Sequence, residues 1–455
     1  MKTPPRTASR RVLALLRDHE SPNVTFVEPD GSWPVVWERA AGVRVWDADG
    51  RRYLDLTAAF GVAAAGHANP RVVRAGRRQM GRLLHAMGDV HPHALKAELA
   101  RELSRLTFQR WTKSLPRPGT GKTVFCNSGF EAVETALKTA MLATGKPGVI
   151  VFEGAYHGLG YGTLNATHRD HFRGPFRAQL REFGFFLPFP KAGPAARARL
   201  KILESQIGNL FRRREIGAIL VEPIQVRGGV NVPPPGFLSL LRRMCDGRNR
   251  LLILDEIYTG FGRTGRWFAC EHERVVPDLV CLGKAMTGGF PLSACVGRAG
   301  LMDAAWPRSA GEAIHTSTFL GHPVGCAMAL AQIRELARLR LVERAAKTGA
   351  HLLRSLSRLA RHAGRSRNRA RPSILCVPRG MGLLAGLELT HPDGSPAGVE
   401  AMHAVKKMLH AGFILLPEGA HGNVLSFTPP LTVPPAELDR AVAALETILA
   451  HNETL

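Results

Sequence analysis

The sequence predicts an α/β fold in which a mainly parallel sheet is flanked by helices. Three observations carry that prediction. Strand-length, largely apolar runs recur at Lys122–Cys126, Gly148–Phe152, Ile219–Val221, Leu251–Leu254 and Leu279–Leu282, as strands buried on both faces require. Helical stretches lie between them, which gives connections long enough for parallel pairing. Each run delivers small, polar or charged residues at its carboxyl end, where open parallel sheets bind their ligands.

The amino-terminal segment, MKTPPRTASRRVLALLRDHE, is rich in arginine and free of acids through Arg17. It lacks the long apolar core of a secretory signal, so it reads as a short basic amphipathic arm. Val43 to Leu56 alternates around Asp49-Gly50, a hairpin signature. Ala58-Ala59-Phe60-Gly61-Val62 follows, and its small residues predict a close backbone approach. After Cys126 come Asn127-Ser128-Gly129-Phe130-Glu131. Ser128 with Glu131 three residues on is a capping-box pattern. Ala132, Ala136, Leu137, Ala140 and Met141 then keep helical spacing. Strand, Ser-Gly turn and helix start together favour an anion, because free N–H groups and the helix dipole point the same way. The run ending at Phe152 delivers Tyr156 and His157, and an aromatic there can cover a ring by stacking. The run ending at Val221 delivers Glu222, Gln225 and Arg227.

The densest stretch runs from Leu251 to Cys295. Asp255 ends one apolar run. Lys284 follows the next and precedes Gly288-Gly289, an odd place for a solvated lysine. A carboxylate and an amine at the ends of buried strands look like the two protein contacts of a pyridoxal-phosphate ring. The lysine would form a Schiff base with the aldehyde, and the aspartate would face the pyridine nitrogen. Downstream lies a hydroxyl-rich loop, His315 to Pro323. Leu336, Leu339, Ala346, Leu353 and Leu356 predict one long amphipathic helix. Arg354 to Arg371 holds seven arginines and no acid, a solvated helix end and loop. Arg379 to Glu388 reads as a glycine-punctuated strand, Val424 to Phe427 as another, and a final helix starts near Pro435. We divide the chain into an arm and hairpin at 1–57 that join a small domain, a large cofactor-binding domain at 58–335, and a carboxyl-terminal small domain at 336–455.

Bulk properties bound the function. At 455 residues the chain exceeds one simple core. No apolar run reaches membrane-spanning length. Seven scattered cysteines without a C-x-x-C pair predict a reduced, cytoplasmic protein with no metal cluster. The net charge of +24 raises the question of nucleic acid. The basic residues are spread out, arginine far outnumbers lysine, and no aromatic-interleaved motif appears, so nucleic acid is not expected as a partner.

With these pieces in order, the chain resembles the class III (omega-type) aminotransferases of fold type I, from Trp46-Asp47-Ala48-Asp49-Gly50 to Pro429-Pro430-Leu431. The decisive block is Asp255-Glu256-Ile257-Tyr258-Thr259-Gly260-Phe261-Gly262-Arg263-Thr264-Gly265 with Lys284-Ala285 downstream. The resemblance implies pyridoxal 5'-phosphate on Lys284, with Asp255 at its pyridine nitrogen. Ile257 and Tyr156 would enclose the ring, and Gln225 would approach its phenolic oxygen. Ser128, Gly129 and Phe130 would hold the phosphate, and His157 and Glu222 would complete the contacts. Thr318 would reach the phosphate of a partner subunit, which implies a homodimer with shared sites. The substrates would be an amino donor and a 2-oxo acid. The chain departs from carboxylate-gripping members of the family, which have arginine where Leu159 and Ser426 stand and glutamate where Arg227 stands. A guanidinium on Arg227 could still bind a carboxylate, or it could face solvent or pair with a structural acid. Phe60 and Leu159 predict an apolar substrate pocket.

Three functions remain open from the residues. The first is a ping-pong aminotransferase. The second is an amino-acid racemase or epimerase that reprotonates the same carbon. The third is a basic scaffold on a degenerate enzyme fold, against which the retention of both Lys284 and Asp255 counts.

Overall fold

Alternating side chains on either side of Asp49-Gly50 do fold as a hairpin. In the computed structural model, which describes residues 7–29, 31–114, 116, 118–363 and 374–450, β2 (Arg44–Asp47) and β3 (Arg52–Asp55) pair antiparallel, with Gly50 in the turn at φ +80°. A strand absent from the sequence reading, β1 (Trp37–Ala41), pairs with the free edge of β2. The basic arm is a helix, Thr7–His19, and residues 1–6 lie outside the described residues. Its start is tied to the hairpin turn, where Ala8 N donates to Asp49 Oδ1 at 3.0 Å.

The apolar runs form one seven-stranded sheet: β4 (Gly121–Cys126), β5 (Gly148–Phe152), β6 (Gly184–Leu187), β7 (Ile216–Val221), β8 (Leu251–Asp255), β9 (Leu279–Leu282) and β10 (Ser293–Arg298), in the order β4-β10-β9-β8-β7-β5-β6. From β6 to β9 all pairs are parallel. Only β10 runs the other way, between β9 and β4. β4 therefore points along the parallel set, and the carboxyl ends of β4, β5, β7, β8 and β9 share one edge.

A period-two backbone explains why these runs are apolar throughout. Ile219, Val221, Leu252, Leu254, Val280 and Leu282 face one core. Ala218, Leu220, Leu251, Ile253, Leu279 and Cys281 face another. Helix Gly129–Thr144 packs against β4, β9 and β10, while Phe237–Asp246 packs against β7 and β8. All seven cysteines are unpaired, and six are buried.

The carboxyl-terminal third differs from expectation in two places. The predicted long helix is two, Pro323–Arg338 and Leu341–Ala363. Arg340 between them adopts φ +50°. Periodicity persists across the break because Leu336 and Leu356 both face the main core. The arginine-rich stretch is helical to residue 363, with Arg354, Arg358 and Arg361 exposed; 364–373 lie outside the described residues. The predicted glycine-punctuated strand is a hairpin of β11 (Leu375–Met381) and β12 (Leu384–Thr390). Gly382 turns it at φ +59°. β12 pairs with β15 (Val424–Phe427), which pairs in turn with β14 (Leu416–Glu418). β13 (Phe413–Ile414) pairs in parallel with β3, so the two ends of the chain meet in one sheet.

The hairpin turn locks onto the block that carries Asp255. Leu383 N donates to Arg263 O at 3.0 Å, and the buried Arg263 Nη1 donates back to Leu383 O at 3.0 Å. A Cβ on Gly382 would lie 2.4 Å from the Thr264 carbonyl carbon. Replacement Gly382→Ala is therefore expected to cost at least about 1–3 kcal/mol, with denaturant unfolding as the measurement.

Candidate active site

One cavity of about 700 Å³ opens at the shared edge of the sheet, within the size range of ligand pockets. Its lining comes from every strand end named above. β4 supplies Asn127, Gly129 and Phe130; β5 supplies Tyr156, His157 and Leu159; β7 supplies Glu222 and Arg227. β8 supplies Asp255, Ile257 and Tyr258, and the turn after β9 supplies Lys284.

One end of the cavity is a helix start with spare donors. Ser128 is the cap residue of helix Gly129–Thr144, yet its hydroxyl makes no capping bond. The predicted capping box is displaced by one residue: Glu131 Oε2 accepts from Asn127 N at 2.7 Å. Ser128 Oγ is left buried with no partner. An orphaned hydroxyl beside the free N–H groups of a 16-residue helix is the donor set a phosphate needs. Close packing completes the cradle, since a Cβ on Gly129 would sit 3.1 Å from Ile257 Cδ1.

At the floor, Asp255 is held from two sides. Its Oδ1 accepts from Ile257 N at 3.1 Å, and its Oδ2 hydrogen-bonds His157 Nδ1 at 2.8 Å. Glu256 points the other way, because successive side chains at a strand end face opposite sides. It accepts from Ala269 N and Cys270 N at 2.9 and 2.8 Å and anchors the loop. Burial lifts its carboxyl to about 6. The acidic pair thus divides into a cavity group and a structural group.

Lys284 stands opposite. Its backbone has φ +43°, which costs a non-glycine residue on the order of 1–3 kcal/mol. Burial pulls its amine below the usual lysine range, against the opposing field of Asp255 and Glu222. A lowered amine is the more nucleophilic one at neutral pH. Nζ lies 4.6 Å from the centre of the Tyr258 ring. That ring fills the space beside the predicted close approach, where Ala58, Ala59 and Phe60 all adopt positive φ. A Cβ on Gly61 would come within 2.8 Å of Tyr258 Cε1.

The remaining expected residues divide. Phe60, Leu159 and Arg227 line the cavity. Glu222 lines it too, and accepts from Tyr156 N at 3.0 Å. Burial lifts the Glu222 carboxyl to about 7. Gln225 is fully buried, and the structure does not bring it to the cavity. Its amide donates to Glu153 O and accepts from Asn231 Nδ2 at 2.8 and 3.1 Å. Ser426 is buried within β15, also away from the lining. Thr318 is exposed and does not line the cavity of its own chain, while its neighbour Ser317 accepts from Asn127 Nδ2 at 3.1 Å. Sequence reasoning assigned no role to two charged or polar groups here. Tyr258 lay in the quoted block and could have been found there. Glu418 carried no signal; it became visible when Arg227 Nη1 was seen 3.3 Å from its Oε2.

The class III aminotransferase profile matches residues 26–449. The chain belongs to the class III aminotransferases. It is 35% identical over 416 residues to an acetylornithine aminotransferase of Methanosarcina mazei, covering 91% of this chain and 92% of that protein. It is 36% identical over 419 residues to a 5-aminovalerate aminotransferase of Pseudomonas aeruginosa, covering 90% and 92%. Among solved structures it is similar to an ornithine aminotransferase of Toxoplasma gondii with pyridoxal phosphate at its active site, at TM-score 0.80 and 28% identity, covering 97% of this chain and 94% of that one.

The aminotransferase is thus a fold type I, pyridoxal-phosphate-dependent enzyme acting on an amino donor and a 2-oxo acid. The racemase alternative is not favoured, since the relatives are named aminotransferases. No helix among the described residues is long and apolar enough to cross a membrane. The cradle yields a direct expectation. With the phosphate held by Ser128 Oγ, Ser128→Ala would remove a hydrogen bond to a charged group, worth about 1.5–3 kcal/mol, and cofactor affinity in a spectroscopic titration would fall roughly ten- to a hundred-fold. The apo protein's unfolding midpoint should not fall, because the hydroxyl has no protein partner.

Proposed function

We propose that transamination in this enzyme turns on Lys284 and Asp255. The observation that carries this reading is that both line one cavity at adjacent strand ends. When bound, pyridoxal 5'-phosphate supplies an electron sink. The chain's own residues do the rest. Lys284 is the attachment point and later holds and returns the proton at the substrate carbon, general acid–base work worth roughly 10²–10⁴-fold. Asp255, oriented by His157, keeps a proton on the pyridine nitrogen. Ser128, Gly129 and Phe130 hold the phosphate. Ile257 and Tyr156 take the two ring faces, and Glu222 fixes the Tyr156 turn through its backbone N–H. Gln225 acts one step removed by tying Glu153 to Asn231.

Arg227 is the substrate-carboxylate anchor in this reading. It lines the cavity and lies 5.6 Å from the centre of the Tyr156 ring. Phe60, Leu159 and Ile224 give the surrounding wall its apolar character. Ser426 is buried in β15 outside the lining and takes no direct part.

We place the enzyme in the cytoplasm as a homodimer. Exposed apolar side chains near the cavity mouth support the dimer: Phe60 is 51% and Leu159 47% exposed, and Phe319, beside Thr318, is 55% exposed. A second copy would cover them and bring Thr318 to the neighbouring phosphate. The large domain comprises 58–335, and both chain ends form the small one, consistent with β13 pairing to β3.

Lys284→Ala decides the central assignment. The variant is expected to lose the absorbance of lysine-bound cofactor and to lower kcat/KM by roughly 10⁴-fold or more. Retained turnover would remove Lys284 from the mechanism.

A further inference from the structure

Arg227 is held at two points, by the last residue of β14 and by the first residue of the turn after it. Gly419 N donates to Arg227 O at 3.2 Å, and Arg227 Nη1 lies 3.3 Å from Glu418 Oε2. The two side chains sit at different depths. Glu418 is 3% exposed and Arg227 is 32% exposed. Only Arg227 reaches the cavity lining. The guanidinium therefore has a carboxylate behind it, an aromatic face beneath it, and the substrate cavity in front. One Nη group engages Glu418, and a guanidinium carries five N–H donors in a rigid fork. The fork can stay pinned at its back while its front receives a second carboxylate.

We propose that Glu418 is a positioning residue for substrate recognition, aiming Arg227 at the carboxylate of the 2-oxo acid. This rests on the reading of Arg227 as the anchor. Without Glu418 the arginine keeps its charge and loses its direction, and a one-ångström misplacement is costly to a bound geometry. The pair also settles why a carboxylate is tolerated at this depth. Burial of an ion is offset only by close opposite charge. The charged groups facing Glu418 are Arg227, Arg169 and Lys284, with the Tyr156 and Tyr258 hydroxyls nearby. Burial lifts the Glu418 carboxyl to about 7, against the pull of those three cations. Its charge is present above that pH and is lost as pH falls through it, so the aim of Arg227 should weaken in the same window.

The test uses the cofactor-loaded enzyme, with pyruvate and 2-oxoglutarate as acceptors. In Arg227→Gln, KM for the better acceptor should rise roughly ten- to a hundred-fold, the loss expected for a charged hydrogen bond. In Glu418→Gln it should rise about five- to twenty-fold, with kcat changed far less, and Glu418→Asp should recover part of the loss. Wild-type KM should climb as pH drops below about 7, and the climb should be absent from Glu418→Gln. If Arg227→Gln raises KM and Glu418→Gln does not, Glu418 is no positioner and the anchor stands. If neither raises it, the anchor reading itself fails. If Glu418→Gln lowers kcat, cofactor affinity and thermal midpoint together, with KM and its pH profile unmoved, Glu418 is structural and the proposal is overturned.

Discussion

The structure depends on the direction of the strands in its central sheet. Six of seven run one way, and β10 alone opposes them. That arrangement gathers the ends of β4, β5, β7, β8 and β9 along one edge. Peptide groups at such ends have spent their hydrogen bonds within the ladder, so the side chains and turns just beyond them are free to face a ligand. Each strand end contributes one kind of chemistry. β4 leads into spare N–H donors, β5 into an aromatic, β7 and β8 into carboxylates, and β9 into an amine. Moving any strand by one residue would turn its delivered group to the other core, because side chains alternate.

Buried charge is the second theme. Asp255, Glu222, Glu418 and Lys284 share one poorly hydrated region, with the half-buried Arg227 at its cavity side, and an isolated charge there is costly. Asp255 is met by His157 and a backbone N–H, Glu222 by the Tyr156 backbone, and Glu418 by Arg227. The same environment lowers the basicity of the Lys284 amine and raises that of the Glu222 and Glu418 carboxylates. Groups pushed toward neutrality in this way can exchange protons near physiological pH. Backbone strain at Lys284, Ala58, Ala59 and Phe60 lies around the same cavity. It is held there by dense packing, of which the contact between Gly61 and Tyr258 is one example.

Much of this was legible in the sequence, and the failures are instructive. The strands were readable because burial on both faces leaves a continuous apolar run. Ser128, Asp255 and Lys284 stood out as candidates because each comes within two residues of the end of such a run. The Leu336–Leu356 helix was over-read because two helices facing one core keep a common periodicity, and nothing local marks Arg340 as a turn. The β11–β12 hairpin was under-read because Gly380, Gly382 and Gly386 punctuate the segment without saying which of them reverses the chain. The family resemblance implied that Gln225 approaches the cofactor ring, but its amide is drawn inward by Glu153 and Asn231.

The sequence by itself determined the fold class and the cofactor chemistry, and it singled out Lys284 and Asp255 as the pair proposed to serve it. These follow from local order: a period of two, a strand end, the residue that comes next. Only the tertiary structure decided which acid stands behind Arg227, which ring lies under Lys284, and which residues actually reach the cavity. Those pairings join distant parts of the chain, such as Arg227 after β7 with Glu418 in β14. Their geometry is set by how whole strands and turns pack, and no spacing along the chain encodes it.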